Sequence, residues 1–290
     1  MRLASEGGVG FREAQAFRLL RLRKRARQFV KYRPGMPKTV LCVVGCQRSG
    51  TSMLHHLFRL DQDTVTYDEV SPLSTRDPER LRLDPREDVQ RRIASDRAPF
   101  VVLKPLVESQ NLPQMLDWFP DARAIWIYRD FRAVAASNLR FFGERNGFDD
   151  LAPILAGDCA DWRAEHLAPA DAERIRQAAA GPLGAHDAAV LFWWARNSLY
   201  FSLGLVSDPR VALCRYEDLV TSPAAVMRRA YAFVGRPYPG DAIVKDVFAG
   251  SKGRGRDLPL GDAVRAMGEG MLAELDAARS LLPEPAAAGR

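Results

Sequence analysis

The stretch TVLCVVGCQRSGTS, residues 39–52, decides the expected fold. Its first part, 39–44, is an apolar, largely β-branched run without alternation, which is typical of a strand buried on both faces of a parallel sheet. Its second part, 45–52, follows the phosphate-loop pattern G-x-x-x-x-G-K-[ST] except that Thr51 occupies the lysine position. Successive backbone N–H groups before a helix form a cradle for an anion. The stretch therefore predicts a strand, an anion-binding loop and a helix.

Strand and helix signals alternate along the rest of the chain. Strand candidates lie at 64–67, 100–103, 124–128 and 211–214, and helical stretches at 53–60, 112–118, 131–142, 188–205 and 223–234. This alternation predicts an α/β, three-layer, P-loop-like fold with a central, mostly parallel sheet. We expect one domain over 35–282, in which 143–187 is an insertion over the sheet edge, and a disordered tail over 283–290.

The net charge of +6 has a local origin. Residues 1–34 carry ten Lys/Arg and two Glu, which leaves 32 basic against 34 acidic residues in the remainder. Nucleic acid is therefore not an expected partner, because a nucleic-acid enzyme would be basic along its working groove. Segment 1–34 predicts a basic amphipathic helix with an apolar stripe of Leu19, Leu22, Ala26, Phe29 and Val30. Packing of this stripe on the domain is the preferred interpretation, and contact with an anionic membrane or an acidic partner is the alternative.

The chain is expected to be cytoplasmic, with membrane association left open for the N-terminal helix. No apolar stretch approaches the roughly 18–20 residues that cross a bilayer, and no secretory signal is visible. The four cysteines show neither paired metal-ligand spacing nor the density of a disulfide scaffold, so we expect reduced thiols and no metal site. The oligomeric state is left open.

The charges near the loop favour a nucleotide that binds without a metal. In kinases and NTPases the missing lysine spans the β- and γ-phosphates, and an aspartate after a second strand organises Mg²⁺. Here that second strand is followed by Arg129 and then Asp130. Arg48 and Arg129 suit a nucleotide with separated anionic groups. A degenerate P-loop kinase and a non-catalytic nucleotide-binding protein are the alternatives.

Four elements in order resemble the sulfotransferases that use 3′-phosphoadenosine 5′-phosphosulfate (PAPS). RSGTS at 48–52 resembles their 5′-phosphosulfate loop, and Arg129 with Ser137 eight positions later resembles their 3′-phosphate site. Tyr216 lies in a segment similar to the strand and helix beside adenine, and SKGR at 251–254 is similar to the loop that closes over the 3′-phosphate. The resemblance implies PAPS as co-substrate and no metal. It also implies donor contacts from Gln47, Arg48, Ser49, Gly50, Thr51, Ser52, Arg129, Ser137, Tyr216, Ser251, Lys252, Gly253 and Arg254.

The same resemblance implies three catalytic residues. Sulfuryl transfer needs positioning, neutralisation of the leaving phosphate and removal of the acceptor proton. Arg48 is expected to stabilise the departing phosphate. Glu69, 21 residues later, occupies a place similar to that of the catalytic glutamate of tyrosylprotein and several bacterial sulfotransferases, with Asp68 as its local competitor. Lys104 resembles a lysine that assists the sulfuryl group in Golgi-type enzymes. The expected acceptor is a hydroxyl or an amine of an unidentified small molecule, glycan or peptide, and segment 143–187 is expected to form a lid over the acceptor site.

Overall fold

A central parallel sheet organises the protein. The computed structural model describes residues 11–247 and 257–279. Within them the strands are β1 (Thr39–Gly45), β2 (Thr64–Tyr67), β3 (Phe100–Leu103), β4 (Arg123–Tyr128) and β5 (Val211–Arg215). Their order is β2–β3–β1–β4–β5, and every neighbouring pair is parallel. The predicted α/β fold with a mostly parallel sheet is confirmed.

Helices cover both faces of this sheet. They are α1 (Phe11–Lys31), α2 (Thr51–Leu60), α3 (Arg86–Ser95), α4 (Leu112–Leu116), α5 (Phe131–Phe142), α6 (Asn146–Ala156), α7 (Pro169–Ala178), α8 (Ala185–Ser202), α9 (Tyr216–Thr221), α10 (Pro223–Phe233) and α11 (Asp262–Ala278). Short 3₁₀ turns lie at Leu106–Asn111, Leu205–Ser207 and Asp241–Val244. None of the helices in the described ranges is both long and apolar enough to cross a membrane.

The central position of β1 explains its unbroken apolar sequence. Successive side chains of a strand point to opposite faces. Leu41 and Val43 join a core with α2 and α10, whereas Val40, Cys42 and Val44 join a core with α5 and α8. All five side chains are at most 1% exposed. Both faces are therefore buried, so the alternation of a half-exposed strand is absent.

The segment predicted as an insertion, 143–187, contains two helices that the sequence did not predict. Helices α6 and α7 pack on α8, and Leu151, Ile154 and Ile175 are at most 1% exposed in the same core. Burial of these side chains holds the segment against the domain. Its action as a lid over an acceptor stays a prediction, as do the domain limits, and the 283–290 tail lies outside the described residues.

Helix α1 corrects the preferred interpretation of the N-terminal segment. The helix is present, but its apolar stripe does not pack on the domain: Leu22 is 63%, Phe29 66% and Val30 86% exposed. The helix contacts the domain through charged side chains, including the ion pair of Arg27 with Asp63 at 2.8 Å. The turn between α2 and β2 offers carboxylate and carbonyl oxygens there, which attract the basic face of the helix rather than its apolar one.

Candidate active site

The loop between β1 and α2 approaches its neighbours so closely that its two glycines have no room for a side chain. Gly45 has φ +128°, and a Cβ there would lie 2.3 Å from the Ile127 carbonyl oxygen. Gly50 has φ +99°, and its Cβ would lie 2.3 Å from Cδ2 of Tyr216. Arg48 between them has φ +65°, a left-handed conformation that is uncommon without glycine. The loop is thus a tightly packed, strained turn at the carboxyl edge of the sheet.

The same loop offers donors to an anion. It leads into the N-terminus of the ten-residue helix α2, whose first turn holds no acidic residue and whose N-cap, Gly50, makes no side-chain cap. Backbone N–H groups at a helix N-terminus carry a partial positive charge. The Ser49 side chain is fully buried, and its hydroxyl has no hydrogen-bond partner within the described residues. Unsatisfied donors and a helix dipole suit a phosphate group.

Four of the predicted donor-binding residues meet beside this loop. Arg48 Nε donates to Ser137 Oγ at 3.1 Å, and Arg129 Nη1 donates to the Arg48 carbonyl at 3.4 Å. The Arg129 guanidinium lies 4.3 Å from the centre of the Tyr216 ring. Burial, together with the charges of Arg129 and Arg140, lowers the pKa of Arg48. Cations gathered in this way repel one another, and a bound anion would relieve the repulsion.

The aspartate that follows β4 caps a helix. Asp130 Oδ1 accepts hydrogen bonds from the backbone N–H groups of Arg132 at 2.9 Å and Ala133 at 3.3 Å, at the start of α5. An aspartate at this position satisfies N–H groups that have no partner within the helix. Within residues 11–247 and 257–279, no three His, Cys, Asp or Glu side chains gather as metal ligands.

Lys104 connects the loop to the carboxylates that follow β2. It follows β3, is 7% exposed, and its backbone N–H donates to the Tyr67 carbonyl at 2.9 Å. Its Nζ lies 3.1 Å from Glu69 Oε1, 3.4 Å from Asp68 Oδ1 and 3.2 Å from Ser52 Oγ. The ammonium group therefore bridges the first turn of α2 and Glu69, two predicted parts of the site that are distant in sequence.

Asp68 and Glu69 have different surroundings. Asp68 forms an ion pair with Arg59 and lies 3.4 Å from Nδ1 of His55. Burial would raise the pKa of Asp68, but attraction to His55, Lys104 and Arg59 outweighs it and lowers that pKa. Within the described residues, the ion pair of the Glu69 carboxylate is with Lys104. Glu69 is thus the less engaged of the two carboxylates, which favours it over Asp68 as a proton acceptor.

Two contacts of the loop have no signal in the sequence. Gln47 Nε2 donates to Asp150 Oδ2 at 2.6 Å, which ties the loop to α6. The Arg48 guanidinium lies 4.2 Å from the ring centre of Phe141 at the end of α5. The residues involved are about 90 to 100 positions apart, so only the packing of α5 and α6 brings them together.

Most of the predicted site residues share this edge of the sheet. The structure brings together Gln47, Arg48, Ser49, Gly50, Thr51, Ser52, Glu69, Lys104, Arg129, Ser137 and Tyr216. The other four, Ser251, Lys252, Gly253 and Arg254, lie outside the described residues.

Comparison with known proteins gives a family match and structural neighbours. A family model described as "Sulfotransferase domain" matches residues 38–249. The solved sulfotransferase domain from the Synechococcus PCC 7002 olefin synthase is 15% identical, with a TM-score of 0.51 over 85% of this chain and 98% of that one. A sulfotransferase from Alicyclobacillus acidocaldarius is 17% identical, with a TM-score of 0.47 over 86% of this chain and 95% of that one. No curated protein matches the chain.

Proposed function

Because the chain belongs to the sulfotransferase domain family, we propose that it transfers a sulfuryl group from PAPS to a hydroxyl or an amine. The acceptor is a small molecule, a glycan or a peptide. The observation that carries the proposal is the position of Lys104 Nζ, 3.1 Å from Glu69 Oε1 and 3.2 Å from Ser52 Oγ. A cation for the sulfuryl oxygens and a carboxylate for the acceptor proton thus lie against the anion loop.

The residues beside the loop fit the donor. The loop N–H groups and the buried Ser49 hydroxyl suit the 5′-phosphosulfate. Arg129 and Ser137, both in contact with Arg48, suit the 3′-phosphate, and the Tyr216 ring would lie beside adenine. The distribution of positive charge over separated side chains matches a nucleotide whose anionic groups are also separated.

The proposed transfer is an in-line displacement. The acceptor oxygen or nitrogen attacks sulfur while the bond from sulfur to the 5′-phosphate oxygen breaks, which releases 3′-phosphoadenosine 5′-phosphate (PAP). Glu69 accepts the acceptor proton, Lys104 donates to the sulfuryl oxygens, and Arg48 neutralises the charge that develops on the leaving phosphate. These roles need electrostatic stabilisation and positioning rather than a covalent intermediate on the protein.

The test uses PAPS carrying radioactive sulfur, incubated with the protein and a cell extract. Labelled product is expected from wild type and not from Glu69→Gln, while PAP binding of that variant, measured by calorimetry, stays within about threefold of wild type because a carboxylate-to-amide change leaves the loop intact. Glu79→Gln, an exposed glutamate further along the same connection, is the matched control and should retain full transfer.

Three outcomes would contradict the proposal. Sulfuryl transfer by Glu69→Gln at the wild-type level would show that Glu69 is not the base. PAP binding without labelled product from any extract would favour a non-catalytic nucleotide-binding protein, whereas phosphate transfer from ATP with Mg²⁺ would favour a kinase.

A further inference from the structure

Helix α1 contacts the domain through one polar face. Lys24 Nζ donates to the Arg59 carbonyl at 2.7 Å, and Gln28 Nε2 donates to the Gln62 carbonyl at 2.8 Å. Arg27 and Lys31 both form ion pairs with Asp63, at 2.8 and 3.4 Å. These four positions lie on one side of a helix with 3.6 residues per turn. The orientation of α1 on the domain is therefore set by hydrogen bonds and ion pairs.

The opposite face of α1 is apolar and exposed. At 3.6 residues per turn, the stripe of five apolar residues defined above covers an arc of about 100°. Its exposure rises from 49% at Leu19 to 86% at Val30. Arg97 contacts one side of the Phe29 ring, with 4.4 Å between guanidinium and ring centre, yet Phe29 stays 66% exposed. A row of large apolar side chains turned away from the domain is costly in water unless another surface covers it.

Arginines border this apolar stripe on both sides. Helical spacing places Arg18 and Arg25 along one border and Arg23 along the other. All three are exposed, and none forms an ion pair within the described residues. The charges of α1 that face the domain are thus paired with it, whereas those beside the stripe point to solvent.

We propose that this outer face of α1, the stripe with its bordering arginines, binds an anionic membrane surface, with the helix lying in the plane of the lipid headgroups. A flat layer of anionic headgroups over acyl chains accommodates the apolar stripe and both arginine borders at once. A second copy of the chain fits poorly, because pairing two such faces would bring their arginines together.

The position of α1 separates this surface from the transfer site. Its partners are the end of α2, the turn before β2, and Arg97 ahead of β3, all at the amino edge of the sheet. The anion loop, Glu69 and Lys104 follow the carboxyl ends of strands. A membrane bound to the outer face of α1 therefore leaves the carboxyl edge of the sheet open to water. The membrane proposal does not depend on the proposed function.

The test measures co-sedimentation of the full chain with vesicles of phosphatidylcholine alone or mixed in equal parts with phosphatidylglycerol. Binding is expected only to the mixed vesicles. Arg23→Gln with Arg25→Gln should weaken it by about thirtyfold, since each basic residue at an anionic surface contributes a factor of about five. Leu22→Asn with Phe29→Asn should weaken it by about tenfold or more.

The matched controls remove the same kinds of group elsewhere. Arg91→Gln with Arg145→Gln removes two arginines whose side chains are 75% and 89% exposed, and Val206→Asn removes an apolar side chain that is 36% exposed. These controls should bind vesicles as wild type does, and the α1 variants should bind PAP and unfold on heating as wild type does.

Three results would overturn the proposal. One is equal binding to both kinds of vesicle, and another is vesicle binding by the α1 variants at the wild-type level. The third is a dimer in analytical ultracentrifugation that Leu22→Asn with Phe29→Asn dissociates, which would assign the stripe to self-association.

Discussion

Replacement of Gly50 by alanine tests whether the anion loop and the predicted adenine side of the site are one packed unit. The new Cβ would lie 2.3 Å from Cδ2 and 3.0 Å from Cε2 of Tyr216. The Tyr216 ring cannot swing aside freely, because it is 6% exposed and lies under the Arg129 guanidinium at 4.3 Å. Either the loop moves away from Tyr216 or the ring moves away from Arg129, so the proposed donor site is disturbed in both cases.

The expected destabilisation has two parts. A left-handed conformation costs alanine roughly 1–2 kcal/mol. An extra carbon forced into a well-packed region costs about 1–3 kcal/mol more. Gly204→Ala isolates the first part: Gly204 is also left-handed, at φ +70°, and a Cβ there would meet nothing within 4 Å. We therefore expect the free energy of unfolding to fall by about 1–3 kcal/mol further in Gly50→Ala than in Gly204→Ala, or roughly 2–4 °C in Tm for each kcal/mol.

Two assays on the pair of variants are decisive. Thermal unfolding gives the difference in Tm, and calorimetric titration with PAP gives the dissociation constant. If the loop moves to relieve the overlap with Tyr216, PAP binding weakens by about tenfold to a hundredfold in Gly50→Ala, since each 1.4 kcal/mol of lost binding free energy is tenfold in the dissociation constant. PAP binding by Gly204→Ala is unchanged. Equal loss of stability in the two variants, or wild-type PAP binding by Gly50→Ala, would refute the packing argument.

Three further predictions follow from buried groups. Asp150→Asn should weaken PAP binding and lower stability by about 3 kcal/mol, because an NH2 group replaces one carboxylate oxygen, which removes the charge that pairs with Arg163 and leaves either Gln47 or Arg163 without its acceptor. Asp149→Asn, at a side chain that is 60% exposed, should change neither quantity in calorimetry and denaturation. A maleimide should label the native chain once, at Cys159, because the other three thiols are buried and burial raises the pKa of each to about 12; mass spectrometry counts the adducts. Burial also lowers the pKa of His55 to about 4, below its unfolded value of about 6.5. The free energy of unfolding should therefore fall as the pH drops from about 6.5 to about 4, because the unfolded chain binds the proton more readily. In urea titrations at successive pH values, His55→Gln should show a smaller fall.

The strands could be predicted because a strand that is buried on both faces has a continuous run of apolar residues. Each predicted strand appears in the sheet within one residue of its expected bounds. Helix α11 was not predicted, although Val264, Met271 and Leu275 are buried at helical spacing. Gly268 and Gly270 weaken its helical signal. Gly268 is needed for packing, since a Cβ there would lie 2.7 Å from the Phe131 ring.

The same distinction holds at the site. Glu69, Lys104 and Arg129 each come shortly after a strand, and the carboxyl ends of parallel strands share one edge, so their position at the same edge of the sheet follows from the topology. The contact of Gln47 with Asp150 depends on how α6 packs on α8, and neither residue type nor spacing indicates it. The topology thus predicts which residues lie at the carboxyl edge of the sheet. The contacts that the helices make with these residues can be identified only from the packed structure.

Two groups of cations lie at opposite edges of the sheet and differ in their exposure to solvent. At the carboxyl edge Lys104 and Arg129 are both 7% exposed, so they act at short range in a poorly solvated site and suit a small ligand held in a fixed geometry. At the amino edge the arginines of α1 are exposed and act through solvent, which suits an extended anionic surface of no fixed structure. The net charge of +6 therefore describes neither group of cations. Because the two groups lie at opposite edges of the sheet, a bound nucleotide and a bound membrane need not compete for the same cations.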